Sequence, residues 1–144
     1  MEMFTSKEKK FHNFYMNMAF DVSQLSNCER KKVGAVIVRD NNILSYGFNG
    51  TPHGFDNKCE IETESNEIVT KKEVLHAELN AICKIACSTN TTENSILYVT
   101  LSPCIECAKI IIQSGIKSVF YNEEYRITDG IDFLKKALIN VYKI

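Results

Sequence analysis

The stretch LYVTLSPCIECAKIIIQSGIKSVFY, residues 97–121, decides the architecture of this chain. Ile96 to Leu101 is a β-prone run and reads as a strand. Ile105 to Ser114 reads as a helix, and Gly115 stops it, since glycine enters the left-handed conformation without steric cost. Lys117 to Tyr121 is a second strand. Strand, helix and strand in so short a span imply a right-handed crossover between parallel strands. Behind the first strand, Pro103 precedes Cys104 and Cys107. A C-x-x-C pair can be a redox switch, half of a structural zinc clip, or part of a catalytic metal site.

Working outward, Lys7 to Ser26 places Phe11, Phe14, Tyr15, Met18, Val22 and Leu25 at the spacing of an amphipathic helix. Val33 to Val38 and Ile43 to Phe48 flank the turn formers Asp40, Asn41 and Asn42 and read as a hairpin. Thr51 to Lys72, with Pro52, Gly54 and an acidic run, reads as a long surface loop. The segment EVLHAELNAICKIACS carries Leu75, Leu79, Ile82 and Ala86 at helical spacing. Ile131 to Ile139 is a last helix, with Phe133, Leu134, Leu138 and Ile139 apolar, and VYKI forms a closing strand. The expected fold is a three-layer α/β/α domain over residues 1–144, a five-stranded mixed sheet covered by helices, with the hairpin as its antiparallel edge.

Composition narrows the function. A length of 144 residues fits one domain with a full core. With 44% hydrophobic and 24% charged residues, the chain reads as an ordinary globular protein. A net charge of -1 exerts no global pull on nucleic acid or anionic membrane. The opening MEMFTSKEKK lacks the apolar segment of a secretory signal, and no run approaches the roughly 20 apolar residues of a membrane span. The six cysteines are therefore expected in a reducing cytoplasm, where clustered cysteines bind metal or sit buried.

Two thiolates alone hold zinc poorly. A structural site closes with four protein ligands, while a catalytic one uses three and leaves a position for water. There is no second C-x-x-C, and His12, His53 and His76 show no H-x-x-x-H spacing, so a zinc ribbon lacks parts. A thioredoxin-like pair would follow the first strand of the sheet, whereas this one follows the third. His76 stands at the start of the helix containing HAE, and the helix N-termini after His76 and Pro103 can point at one site. Their partial positive charge favours thiolate over thiol. His76, Cys104 and Cys107 then form a three-ligand site. Glu78, about 200° around a helix from His76, approaches its open side as a proton shuttle. H-A-E followed by P-C-x-x-C is the signature of zinc nucleobase deaminases.

The chain resembles the deoxycytidylate deaminases of the cytidine deaminase superfamily, and their phage-type members in particular. KKVGAVIVRDNNILSYGFNGTPHGFDNKCE, HAELNAI and LYVTLSPCIECAKIIIQSGIKSVFY carry the likeness over nearly the whole length. GFNGTPHG followed by a Cys-acid pair narrows it to the dCMP branch. The resemblance implies hydrolysis of dCMP to dUMP for thymidylate synthesis. Zinc lowers the pKa of a water, and Glu78 moves protons from that water to ring N3 and to the leaving ammonia. It also implies that Asn49 holds the sugar or base edge and that the Ser102 region presents backbone to the pyrimidine. Tyr125 and Arg126, in the loop after the fourth strand, lie at the strand ends where such sheets bind ligands, and are candidates for the 5′-phosphate.

Members of this family are typically hexamers activated by dCTP and inhibited by dTTP. The resemblance assigns Arg30, Lys31, Lys32, Asn49, Gly50 and Glu60 to that effector, with Mg2+ accompanying the triphosphate. Some phage relatives hold a second, structural zinc through two cysteines and two histidines. Cys28 and Cys59 stand where those cysteines would be, but no histidine lies between Cys59 and His76, so one zinc per chain is expected. Cys83 and Cys87, four apart on a helix, are expected to pack in the core. Two rivals remain: a tRNA-type nucleic-acid deaminase, which needs a basic groove that a net charge of -1 does not suggest, and a non-enzymatic zinc module, which needs a fourth protein ligand.

Overall fold

Asp40 and Asn41 both adopt positive φ, 51° and 59°, the handedness that a two-residue hairpin turn requires. They turn β1 (Gly34–Arg39) back along β2 (Asn42–Phe48) with Arg39 opposite Asn42. The structure, a computed structural model, describes residues 3–144; Met1 and Glu2 of the charged opening stretch lie outside the described residues.

On its other side β1 pairs antiparallel with β5 (Ile96–Leu101). β5, β6 (Ser118–Glu123) and β7 (Asn140–Lys143) run parallel, giving the order β2-β1-β5-β6-β7. The crossovers are α3 (Ile105–Gln113), which ends before Gly115 at φ 81°, and α4 (Asp129–Lys136). Ahead of β5 lies α2 (Ala77–Ala86), and the chain begins with α1 (Ser6–Ser23), whose N-terminus Thr5 and Glu8 close in a capping box. This is the expected five-stranded mixed sheet.

Side chains alternate across the sheet, as strand geometry demands. Ala35, Ile37, Leu97, Val99 and Val119 join the core under α2, α3 and α4, while Val36, Val38, Tyr98 and Phe120 join the core under α1. Among the described residues no helix is long and apolar enough to cross a membrane.

Several expectations need correction. The inward face of α1 is Tyr15, Met16, Ala19 and Val22, whereas Phe11, Phe14 and Leu25 are exposed. His12 accounts for the rotation: its Nδ1 lies 2.7 Å from the Tyr98 hydroxyl and its ring stacks on Phe120 at 4.2 Å. A polar residue thus turns the helix, which a hydrophobic count misses. The buried face of α2 is Ala77, Glu78, Ala81 and Ile85; of the expected Leu75, Leu79, Ile82 and Ala86, Ile82 packs partly buried against the core and Ala86 is exposed. Here the cause is Gly47 of β2. A Cβ at Gly47 would lie 2.4 Å from both the Ala77 carbonyl and the Ala81 nitrogen, so the helix backbone rests directly on the strand. Cys83 and Cys87 consequently point away and are exposed, not core.

The segment expected as loop contains a two-stranded hairpin, β3 (Glu60–Glu62) with β4 (Ile68–Thr70). Its three-residue strands are too short and too polar to show a period. The last helix stops at Lys136, and Leu138 is 89% exposed at φ 64°, because the chain turns there to enter β7. Cys28 and Cys59 are buried as expected, yet they are joined as a disulfide with Cα atoms 5.1 Å apart, not left as the free thiols of a reducing compartment.

Candidate active site

His76 is the N-cap of α2, held extended at φ -73° and ψ 156°. Just before it, Leu75 exchanges two backbone hydrogen bonds with Gly50, 2.8 and 3.0 Å long, which tie the helix entry to the end of β2. Cys104 is the N-cap of α3, and its Sγ accepts the backbone N–H of Cys107 at 3.5 Å. The two helix starts converge. His76 Nδ1 lies 3.3 Å from Cys107 Sγ and 3.5 Å from Cys104 Sγ, and the three donor atoms all fall within 4.8 Å of one another.

Without a metal, the three groups share protons through their hydrogen bonds. Hydrogen bonding from Cys107 and His76 holds the Cys104 thiol down at about 3, against the cost of burial. The partner thiol of Cys107 moves upward, through its hydrogen bond to Cys104 and its burial. His76 is raised by its bond to Cys104. One imidazole nitrogen and two sulfurs, gathered at helix N-termini with no fourth side chain in the cluster among the described residues, fit zinc in a three-ligand site. Glu78 lies in the first turn of α2, only 4% exposed, and burial raises the pKa of its carboxyl.

His76, Glu78 and Cys104 line one cleft of about 290 Å³, together with Asn49, Ser102, Tyr125, Arg30, Lys31 and Glu60, while Cys107 is buried behind them. The sequence thus located most of the wall. Lys32, Gly50 and Arg126 are not among the lining residues. Arg126 is exposed, its guanidinium 5.9 Å from the Tyr125 ring. Arg30, Lys31 and Glu60, read as effector residues, share this cleft with His76 and Glu78.

Several roles are more structural than the sequence suggested. Asn49 Oδ1 accepts the Val33 N–H at 2.9 Å and its Nδ2 donates to the Lys31 carbonyl at 2.8 Å, so the amide clips the strand that enters the sheet. Ser102 donates its N–H to the Glu123 carbonyl and its Oγ accepts the Tyr125 N–H. The Glu60 carboxylate accepts from the backbone of Glu29 and Arg30 at 3.2 and 3.4 Å. Lys31 reaches across to Glu123, Nζ to Oε2 at 2.5 Å. Thr70 and Cys28 also line the cleft. Sequence reasoning placed neither in the cleft, since Thr70 lay in an apparent loop and Cys28 was weighed only against a second, structural zinc.

Residues 9–123 match the family model described as the cytidine and deoxycytidylate deaminase zinc-binding region. The chain belongs to that family. It is 34% identical to the deoxycytidylate deaminase of Enterobacteria phage T4, covering 90% of this chain and 87% of that one. It is 41% identical to the human deoxycytidylate deaminase over 81% of this chain and 67% of that one. Among solved structures, the dCMP deaminase of cyanophage S-TIM5 in complex with dCMP and dUMP matches with a TM-score of 0.87 and 46% identity, covering 98% of this chain and 99% of that one. Within this deaminase family, the zinc-binding region spans both helix starts that carry His76, Cys104 and Cys107.

Proposed function

We propose that this deaminase-family chain hydrolyses dCMP to dUMP and ammonia. One observation carries the reading: a buried carboxyl, Glu78, lines one cleft with His76 and Cys104, and Cys107 completes their His-Cys-Cys cluster. Likeness to the cyanophage enzyme solved with dCMP and dUMP supports the choice of nucleotide.

His76, Cys104 and Cys107 would hold the zinc. When bound there, zinc supplies a Lewis acid that brings the pKa of water toward about 7. Glu78 carries the protons: its carboxyl takes one from the attacking water and gives it to ring N3, then takes the second from the new C4 hydroxyl and passes it to the leaving amine. Burial suits Glu78 to this, because raising its pKa makes the carboxylate a better proton acceptor than an exposed one. Water oxygen ends on C4 and the C4 nitrogen departs as ammonia. Tyr125, tied down by Ser102, forms one wall of the base site. Asn49 retains one N–H for a sugar hydroxyl. The 5′-phosphate sits at the mouth, within reach of Arg30, Lys31 and Arg126.

The same reading makes the chain a cytoplasmic oligomer, a hexamer by family resemblance, that supplies dUMP for thymidylate synthesis. Exposed Phe11, Phe14 and Phe20 on α1, with Ile43 and Tyr46 on β2, give it apolar surface to cover. dCTP would activate and dTTP inhibit, each with Mg2+, near Arg30 to Lys32 and the Asn49–Gly54 turn. An effector shifts such an equilibrium only through differential affinity for two states.

The test is ammonia release from dCMP, CMP, deoxycytidine and dCTP side by side, with dCTP and dTTP then added to the dCMP assay. Preference for dCMP, and saturation made less sigmoidal by dCTP and more so by dTTP, are expected. Equal turnover of deoxycytidine would overturn the phosphate reading, and curves unchanged by either triphosphate would overturn regulation.

A further inference from the structure

Cys28 and Cys59 form a disulfide in which both residues are buried, 2% and 0% exposed, and Cys28 lines the nucleotide cleft. The bond does not stand alone. Cys28 Sγ lies 3.6 Å from the Asn49 carbonyl, which also accepts the Ser26 hydroxyl at 2.8 Å. Directly after Cys59, the Glu60 carboxylate holds the N–H groups of Glu29 and Arg30, and the Cys59 carbonyl accepts the Lys71 N–H at 2.7 Å. One covalent bond thus staples the approach to β1 onto the β3–β4 hairpin. Arg30, Lys31, Glu60 and Thr70 of the cleft wall belong to the segments it joins, and Asn49 is hydrogen-bonded to the first of them at Lys31 and Val33.

We propose that Cys28 and Cys59 are a reversible dithiol–disulfide pair that sets the cleft wall, with a low-molecular-weight disulfide of the glutathione class as its oxidant. The Cys28 thiolate attacks one sulfur of that disulfide, forming a mixed disulfide and releasing one small thiolate. The Cys59 thiolate then attacks Cys28 Sγ, closing the intramolecular bond and releasing the second. The two cysteines lose two electrons and two protons, and the small disulfide becomes two thiols. Reduction is the reverse. Closed, the bond holds Arg30 and Lys31 against the cleft; open, only hydrogen bonds hold them, and nucleotide binding bears the cost of ordering them.

The effect on dCMP rests on the function proposed above, so the test has an independent arm. Zinc-loaded protein is equilibrated in glutathione buffers of graded potential, the Cys28 and Cys59 peptides are alkylated and quantified by mass spectrometry, and amide exchange is followed at Glu29 and Arg30. The pair should titrate as a unit between dithiol and disulfide, and exchange at Glu29 and Arg30 should speed up at least about tenfold on reduction. On reduction, KM for dCMP should rise about fivefold or more, with kcat within about twofold. The Cys28→Ser/Cys59→Ser double variant should match the reduced wild type and ignore the buffer.

A pair that stays dithiol in every buffer, or exchange rates equal in both states, would overturn the proposal. So would a second zinc equivalent bound by the reduced form, which would make the pair a metal clip with Glu60. Absence of dCMP turnover in both states would instead overturn the activity reading, while the alkylation and exchange results still decide the disulfide.

Discussion

Ser102 and Tyr125 are joined across the end of the sheet. The serine hydroxyl accepts the tyrosine backbone N–H at 2.7 Å, and the Ser102 N–H reaches Glu123 at 2.8 Å. The last residue before Pro103 of the zinc-binding loop therefore also fixes the loop after β6. Ser102→Ala removes an acceptor worth about 1 kcal/mol net. The expected result is a several-fold higher KM for dCMP with zinc content unchanged. Wild-type KM in the variant would show that Tyr125 needs no such anchor.

Glu78 separates catalysis from structure. Glu78→Gln is nearly isosteric and leaves His76, Cys104 and Cys107 in place, so zinc content and melting temperature should hold. Turnover should fall about a hundred- to ten-thousand-fold, the usual share of general acid–base catalysis. Zinc analysis and ammonia assay on the same preparation check it. Near-normal deamination with full zinc would return the cysteines to a structural role.

Cys104→Ser should behave differently. Losing one of three ligands should drop zinc from about one equivalent per chain toward none, and stability with it, since metal binding is coupled to folding. Elemental analysis of protein purified without added metal, for wild type and variant, gives the answer. Full zinc in the variant would point to another ligand.

Gly47→Ala tests how α2 is seated. The new methyl group would lie 2.4 Å from backbone atoms of Ala77 and Ala81, which no side-chain rotation can relieve. Overpacking costs about 1–3 kcal/mol even where neighbours yield. Melting temperature should therefore fall by several degrees, with weaker zinc retention because His76 caps the displaced helix. A variant as stable as wild type would show that α2 can lift off β2 freely.

His12 predicts a pH dependence of stability. Burial lowers its pKa below the ordinary 6.5, so the unfolded chain takes up the proton more readily. Its contribution is fully present above about pH 6.5 and is lost as pH falls below that value, until the folded form protonates too. His12→Gln removes this titration, so melting measured between pH 7.5 and 5.5 should fall less steeply than in wild type. Parallel slopes would show that the imidazole next to Tyr98 titrates alike folded and unfolded.

Read alone, residues 97–121 determined the strand–helix–strand crossover, and HAE with PCIEC pointed to the cluster that His76, Cys104 and Cys107 form. Both are local: a strand's composition, a glycine stop and a short ligand spacing depend on neighbours in the chain. The hairpin turn at Asp40 and Asn41 was legible for the same reason.

What only the tertiary structure decided concerns contacts between distant segments. No periodicity shows that Gly47 lets α2 touch the sheet, and that contact turns Ala77, Glu78 and Ala81 inward and leaves Cys83 and Cys87 outside. Nor does a hydrophobic count reveal that His12 belongs to a core, because its burial depends on meeting Tyr98 and Phe120. The hairpin of Glu60 and Thr70 and the bond between Cys28 and Cys59, 31 residues apart, arise when the chain returns on itself. Residue patterns report which face an element offers. Which face is taken, and which thiols meet, follows from how closely two backbones can approach.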